Sequence, residues 1–225
     1  MNPLSLPLFP VLQAMQLPRP QGILQVGASY GQEIGSFVSE GIRAGVFIEP
    51  LPAPFAHLAA LCQRIPGYVA VNTLCTDEGG RDYEYYLASN GGMSSSILRP
   101  ARHLEEYAEV SFEGTTTLRS TTLDDVMASL QVHGHGDTAQ RMDTLYMDTQ
   151  GSELKILMGA NRTLKRIRYI YTEVMRGNLY EGQPEFFTVC HWLDAAGFTL
   201  NNVYFHRQHA GDALFIRKDV LGLTH

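Results

Sequence analysis

The sequence contains few cysteines, and they are scattered. Its 225 residues include three, Cys62, Cys75 and Cys190, and no two of them form a Cys-x-x-Cys pair. Zinc clusters and disulfide frameworks require closely spaced or regularly paired cysteines, so neither is indicated. The pattern suits a reducing compartment, and we predict a cytoplasmic protein.

Long apolar runs and basic runs are also absent. No uninterrupted apolar stretch approaches the ~20 residues of a membrane-spanning helix. The formal net charge is −6 and the lysines and arginines are not clustered, which argues against the basic surface that nucleic-acid phosphates require. Segment 1–20 has no positive charge before its apolar part and is therefore a poor secretory signal. We expect no membrane span and no nucleic-acid partner.

The composition is that of one globular domain. Hydrophobic residues make up 44% of the chain and charged residues 18%, without an internal repeat or a low-complexity tract. We predict an N-terminal cap segment at 1–21, in which 11–17 forms a short helix over the ligand cleft. One domain then covers 22–225.

The most informative stretch is 22–50. It contains an apolar strand at 23–26, a glycine turn at 27–31, a helix, a second strand at 44–48 and then Glu49. A parallel strand that ends in glycine lets the backbone approach a ligand, and the following helix offers unpaired N–H groups. Glu49 lies about 20 residues after the first glycine, where a carboxylate can accept hydrogen bonds from both ribose hydroxyls. The stretch therefore predicts one nucleotide-binding half-unit.

The glycine spacing favours one cofactor over another. A dinucleotide fingerprint has glycine at the positions held here by Ser29 and Gln32, so a pyrophosphate lacks its close backbone approach. The smaller amino-acid carboxylate of S-adenosylmethionine needs no such bare loop. We predict S-adenosylmethionine as the cofactor, with NAD and a ligand-free unit as alternatives.

Strands and helices continue to alternate to the end of the chain, which predicts an α/β fold with a mostly parallel sheet. Segment 89–96, with two glycines and three serines, is a loop able to close over a ligand. The predicted helices are 51–64, one that begins at 123, 153–159 and 185–196. The predicted strands are 68–74, 83–87, 109–118, 144–147 and 168–174. An antiparallel pair, 198–205 with 213–217, follows and turns at Gly211 and Asp212.

Several of these segments resemble the FkbM family of S-adenosylmethionine-dependent methyltransferases, in the same order, over about 22–217. The similar segments are 25–31 (QVGASYG), 48–52 (IEPLP), 72–80 (NTLCTDEGG), 94–96 (SSS), 122–125 (TLDD), 148–153 (DTQGSE) with 159–160, 173–174 and 211–215. In two places the chain departs from the family pattern: Gln150 replaces the acid usual in Asp-x-Glu-Gly, and Ser29 stands where Asn is common.

This resemblance implies a class I methyltransferase (Rossmann-like) fold, with a seven-stranded sheet, an antiparallel last strand and helices on both faces. It also implies O-methylation of a small metabolite, sugar or polyketide-type product. An N- or carboxyl-directed methyltransferase and a non-catalytic cofactor-binding module are the alternatives. We expect a small-molecule or glycan/polyketide acceptor and allow for a homodimer.

Ligands of open α/β sheets lie beyond the carboxyl ends of the strands, which selects the candidate cofactor residues. Thr76 and Asp77 equally suit an ordinary turn. The predicted cofactor-binding residues are Gln25, Gly27, Ala28, Ser29, Tyr30, Gly31, Glu49, Pro50, Leu51, Cys75, Thr76, Asp77, Ser95, Asp148 and Thr149.

Methyl transfer to oxygen requires an in-line acceptor and a group that takes up the hydroxyl proton. Asp148 closes a buried strand and is the first catalytic candidate, although it could instead cap the next helix. Glu173, on the adjacent strand, and His103 are further candidates. No metal ligand is predicted, because two carboxylates are too few to define a site, and the divalent-metal requirement stays open. Asn178, Tyr180 and His206 are the predicted acceptor-binding residues.

Overall fold

The structure is a computed structural model that describes residues 7–223. Its centre is a seven-stranded sheet in the order β3-β2-β1-β7-β8-β10-β9. These strands are β1 (Ile23–Val26), β2 (Gly45–Ile48), β3 (Tyr68–Val71), β7 (Thr144–Met147), β8 (Tyr169–Met175), β9 (Phe198–Tyr204) and β10 (Ala210–Arg217).

Five of the seven strands, from β3 to β8, are parallel neighbours, while β10 is antiparallel to both β8 and β9. Val26 on β1 pairs with Ile48 on β2 and with Met147 on β7, and Met147 pairs with Thr172 on β8. The predicted α/β fold, with its mostly parallel sheet and antiparallel last strand, is confirmed. This register brings the residues that follow β1, β2 and β7 to one edge of the sheet.

Helices cover both faces of this sheet, because successive strand residues point to opposite sides. One face packs against α1, α2 and α3, and the other packs against α5, α7 and α8. The helices are α1 (Leu8–Ala14), α2 (Ile34–Ser39), α3 (Pro52–Cys62), α4 (His103–Glu106), α5 (Leu123–Val132), α6 (Gly136–Gln140), α7 (Glu153–Met158) and α8 (Phe186–Ala195). The Thr122 hydroxyl accepts a hydrogen bond from the Asp125 N–H and caps α5. Within 7–223, no helix is both long and apolar enough to cross a bilayer.

A second, three-stranded sheet in the order β4-β6-β5 was not predicted as a separate sheet. Its strands are β4 (Leu74–Thr76), β5 (Asp82–Ala88) and β6 (Phe112–Thr122). The predicted strand at 68–74 ends instead at Val71. Leu74 then pairs with Ser120 of β6, so the chain leaves the main sheet between these points. Side-chain alternation identifies strands but does not tell which sheet they join.

Two further sequence predictions were wrong in detail. The N-terminal helix is α1 rather than 11–17, and Leu8 and Leu12 pack on Tyr169 and Tyr171 of the sheet face instead of over a cleft. Pro10 lies in the first turn of this helix, where a missing N–H is tolerated. The closing pair turns within 205–209, because Gly211 and Asp212 already belong to β10 and pair with β8. The described part of the cap segment is 7–21, and residues 1–6 of the predicted segment lie outside the described residues.

Candidate active site

A crevice opens at the carboxyl edge of the parallel strands, as expected for an open α/β sheet. Its volume is about 510 Å³, including the part open to solvent. The lining residues are Val26, Gly27, Ser29, Glu49, Pro50, Thr73, Leu74, Cys75, Tyr85, Gly92, Met93, Ser95, Asp148, Thr149, Gln150, Ser152 and Ile156. Eight of the predicted cofactor residues are among them: Gly27, Ser29, Glu49, Pro50, Cys75, Ser95, Asp148 and Thr149.

The glycine turn after β1 forms the floor of the crevice. The N–H groups of Gly27 and Ala28 both donate to the Ile48 carbonyl at 3.0 Å, which ties the turn to β2. Gly27 has a φ of 79°, and a Cβ there would overlap the carbonyl of Asp148. Only glycine meets both conditions without strain. The turn therefore brings bare backbone to the crevice next to the end of β7.

Glu49 is the buried acid at the end of β2. Its Oε2 accepts the Ser29 N–H at 2.9 Å, and its Oε1 accepts the Leu51 N–H at 2.8 Å. Burial raises the pKa of Glu49 to about 7, although these two hydrogen bonds lower it. Each carboxylate oxygen keeps a free lone pair for a further donor. Glu49 is therefore held in place with spare acceptor capacity toward the crevice.

The serine loop, residues 89–96, forms one wall. Gly92, Met93 and Ser95 line the crevice, and the Ser95 hydroxyl accepts the Ala88 N–H at 2.9 Å. Tyr85 reaches the same wall from β5 and donates to the Ser95 carbonyl at 3.3 Å. Sequence reasoning missed Tyr85, since no local signal tells that the second sheet lies against this crevice.

Asp148 and Glu173 meet at the ends of β7 and β8 through Gln150. The Gln150 amide nitrogen donates to Asp148 Oδ1 at 2.8 Å and to Glu173 Oε2 at 2.9 Å. Asp148 is open to the crevice, whereas Glu173 is half-buried behind it. Within residues 7–223, neither acid forms a salt bridge with a lysine or arginine.

The electrostatics of this pair favour bound protons. Desolvation by the surrounding protein raises the pKa of Asp148, and the carboxylate of Asp212 raises it further. The pKa of Glu173 lies well above its usual range because of burial and then the charge of Asp148. Two neighbouring carboxylates repel each other when both are ionised, so the negative charge of one favours a proton on the other. Such a pair can accept a proton from a bound hydroxyl when it ionises.

Two predicted residues, His103 and Tyr180, are buried and do not line the crevice. His103 is only 1% exposed and is stacked on Tyr107 at 4.5 Å, with Tyr180 5.3 Å away. The structure thus places His103 behind aromatic rings and outside the crevice lining, and its catalytic role stays a prediction. Tyr180 is fully buried, and its hydroxyl lies 2.7 Å from Gln150 Oε1 and 2.9 Å from the Ser94 carbonyl. Tyr180 thus supports the pair and does not contact the crevice itself.

The other two predicted acceptor residues, Asn178 and His206, differ in their surroundings. Asn178 is exposed in a left-handed turn, with a φ of 58°, and its carbonyl accepts the Arg102 N–H. His206 lies 3.8 Å from Asp212, and burial lowers the pKa of its imidazole. His206 lies beside Asp212, whereas Asn178 is a surface position.

Seven predicted cofactor residues do not line the crevice. Thr76 is wholly buried and donates to the Glu78 carbonyl at 2.8 Å, and Asp77 lies 3.6 Å from Lys155. The turn interpretation therefore describes both better than adenine contact. Gln25 donates instead to Glu33 at 3.0 Å. The remaining four residues that are absent from the lining are Ala28, Tyr30, Gly31 and Leu51.

Within 7–223, no three histidine, cysteine, aspartate or glutamate side chains are grouped so as to hold a metal ion.

The chain is similar in sequence or in structure to several known proteins. The chain is 29% identical over 184 residues to the 2-O-methyltransferase NoeI of Sinorhizobium fredii, covering 77% of this chain and 70% of that protein. Among solved structures, it is similar to the fibrillarin pre-rRNA processing protein of Methanococcus jannaschii, with 14% identity, a TM-score of 0.49 and coverage of 88% of this chain and 67% of that one. The magnesium protoporphyrin IX methyltransferase of Synechocystis gives 8% identity, a TM-score of 0.48 and coverage of 92% and 74%.

The family assignment comes from a sequence profile. The profile of the methyltransferase FkbM domain matches residues 25–200, which is most of the chain and includes the glycine turn, Glu49, Asp148 and Glu173. The chain therefore belongs to the FkbM methyltransferase family.

Proposed function

We propose that this protein transfers the methyl group of S-adenosylmethionine to a hydroxyl oxygen of a small metabolite, glycan or polyketide-type acceptor. The observation that carries the proposal is one crevice with two kinds of acid: Glu49, held beside the glycine turn, and the Asp148–Glu173 pair. The 2-O-methyltransferase relative supports oxygen as the target.

The crevice residues offer contacts for the donor molecule. Glu49 would accept hydrogen bonds from the ribose hydroxyls, and the bare backbone at Gly27 would lie against the methionine portion. The Ser29 hydroxyl is buried without a protein partner among the described residues, which leaves a polar group for the same portion. When bound, the donor supplies an electrophilic methyl group on a positively charged sulfur.

The chain's own residues would supply position and a proton acceptor. Asp148 opens to the crevice, so its carboxylate can accept the hydrogen bond of an acceptor hydroxyl, and Glu173 backs it through Gln150. The serine loop and Tyr85 line the crevice beside these groups. The acceptor class, the exclusion of nucleic acid, a homodimer and the cytoplasmic location stay predictions from the sequence.

Calorimetry and labelled transfer test this function together. We expect S-adenosylhomocysteine to bind, NAD not to bind, and a Glu49→Ala change to abolish binding, while the exposed Glu113→Ala serves as the matched control. Incubation with methyl-labelled donor and a metabolite extract should then label an alkali-stable product. Binding of NAD alone would support an NAD-dependent enzyme, and binding without any labelled product would support a non-catalytic module. A base-labile product or a methylated amine would identify a carboxyl- or N-directed enzyme.

A further inference from the structure

The side chain of Gln150 connects three groups at once. Its nitrogen donates to Asp148 and to Glu173, and the Tyr180 hydroxyl lies 2.7 Å from its Oε1. These partners fix the orientation of the amide, because the reverse orientation would place its oxygen against two carboxylates. Both amide hydrogens are thereby used on the acids.

The backbone of Gln150 is fixed as well. Its φ is 55°, in the left-handed region that few non-glycine residues adopt, and its carbonyl accepts the Ser96 hydroxyl at 2.8 Å. Strained backbone of this kind persists only where the surrounding structure determines it, and it is frequent at functional sites. The amide is therefore held between the acids from both ends of the residue.

We propose that Gln150 is a positioning residue for methyl transfer, whose amide ties Asp148 and Glu173 into one unit that takes up the proton of the acceptor hydroxyl. This inference rests on the proposed function. The acceptor oxygen forms a bond to the methyl carbon, the carbon–sulfur bond breaks with its electron pair left on sulfur, and the hydroxyl proton passes to the acid pair and then to water. The amide neither gains nor loses a proton in this step.

The surroundings explain why an amide serves here. Among the described residues, the titratable groups that interact electrostatically with the pair are acids, tyrosines and one histidine, His206. They are Glu33 before α2, Tyr85 on β5, Tyr107 after α4, Tyr146 on β7, Glu153 on α7, Tyr171 on β8, Tyr180 after β8, His206 before β10 and Asp212 on β10. A neutral donor between the two acids favours the ionised pair without adding another carboxylate.

The test uses two substitutions at Gln150 and one matched control. Gln150→Asn keeps the amide and suits a positive φ, but it is one methylene too short to reach both acids. Gln150→Glu keeps the shape and places a third carboxylate between them. The exposed Gln63→Glu controls for the added charge. For each variant, calorimetry measures the affinity for S-adenosylhomocysteine. Turnover is measured across pH as transfer of the labelled methyl group into the acceptor fraction that was identified with the wild-type protein. A ¹³C NMR titration follows the ionisation of the side-chain carboxyls.

We expect Gln150→Asn to lower turnover about 10²-fold, the usual cost of misplacing a reacting group by about 1 Å, with unchanged S-adenosylhomocysteine affinity. Because the pair loses hydrogen bonds that favour its ionised form, the pH at which turnover rises should move upward, and the carboxyl titration should move with it. Gln150→Glu should move both further in the same direction. Gln63→Glu should match wild type.

Unchanged turnover in both Gln150 variants would overturn the inference. So would lower turnover with an unmoved pH profile and carboxyl titration, because that result indicates a merely structural role. If Gln150→Asn does not fold, Tyr180→Phe supplies the test, since it removes the hydroxyl on Gln150 Oε1 and should shift the pH profile in the same direction by less. If wild type binds no S-adenosylhomocysteine, the proposed function fails, while the carboxyl titration still decides whether Gln150 ties the two acids.

Discussion

Strand β7 has an aspartate at each end, and the two are in opposite surroundings. Before the strand, the Asp143 carboxylate accepts the N–H groups of Gln21 and Gly22 and pairs with Arg168. After the strand, Asp148 has an amide donor from Gln150 and faces a second acid, Glu173. Both residues look alike in the sequence, as acids flanking one apolar strand.

The difference indicates different roles: Asp143 is structural, whereas Asp148 is a candidate for catalysis. Asp143 and Arg168 neutralise each other with side chains only 10% and 17% exposed, so the pair joins the start of β7 to the start of β8. Asp148 faces the crevice, Glu173 lies behind it, and the two acids compete for a proton. A fold tolerates such unfavourable electrostatics mostly at functional sites, where perturbed pKa values serve a reaction.

The largest expected effect is a loss of turnover when Asp148, at the carboxyl end of β7, is changed. Asp148→Asn keeps the size of the side chain and most crevice contacts but cannot take up a proton. We expect turnover to fall about 10²- to 10⁴-fold, the usual contribution of general base catalysis. Affinity for S-adenosylhomocysteine should stay near that of wild type in calorimetry. Turnover equal to wild type would remove Asp148 from the mechanism.

The same type of substitution at Asp143, just before β7, should lower stability instead of turnover. Asp143→Asn leaves the Arg168 guanidinium largely buried without its counter-charge, which costs about 3 kcal/mol of unfolding free energy. Urea unfolding followed by circular dichroism measures this loss. Reduced turnover in folded protein, with wild-type stability, would contradict the division of roles between the two ends of β7.

Cofactor binding should depend on the ionisation of Glu49. Its pKa in the free protein is raised to about 7, and only the ionised form can accept both ribose hydroxyls. At one pH unit below that value about a tenth of the protein is competent, so the dissociation constant of S-adenosylhomocysteine should rise about tenfold. Calorimetry from pH 5.5 to 8.5 measures the curve. A flat dependence would mean that Glu49 does not hold the ribose.

The smallest effect should be a gain in stability at Glu173. Its pKa is higher in the folded protein than in the unfolded chain, so the folded state binds more protons and loses stability as pH rises between the two values. Glu173→Gln removes this penalty and should raise the unfolding free energy by about 1 kcal/mol at pH 8, with little gain near pH 4. Thermal unfolding at the two pH values compares them. Destabilisation at pH 8 would show that the charged form is favoured after all.

Candidate residues at the carboxyl edge of the sheet could be predicted from the sequence, because ligands of open α/β sheets lie beyond the carboxyl ends of the parallel strands. Glu49, Asp148 and Glu173 each lie at or near the end of an apolar strand, and the register brings those ends together. The burial of His103 could not be predicted, since it arises where α4, β6 and the loop after β8 meet. Tyr85 was missed for a related reason. Contacts between segments distant in the chain decide both.

Gln150 marks the limit of what a sequence shows about this site. Its departure from the family pattern was visible, but the partners of its amide depend on a left-handed backbone and on Tyr180 from a distant loop. The role of a polar residue next to a strand end therefore follows from its hydrogen bonds and not from its type.

A crystal structure with S-adenosylhomocysteine tests the central claim most directly. The account predicts the ligand across the carboxyl edge of the sheet, with both ribose hydroxyls on the Glu49 carboxylate and the sulfur facing Asp148. Crystals grown with saturating ligand that show the crevice empty, or the ligand elsewhere, would contradict it.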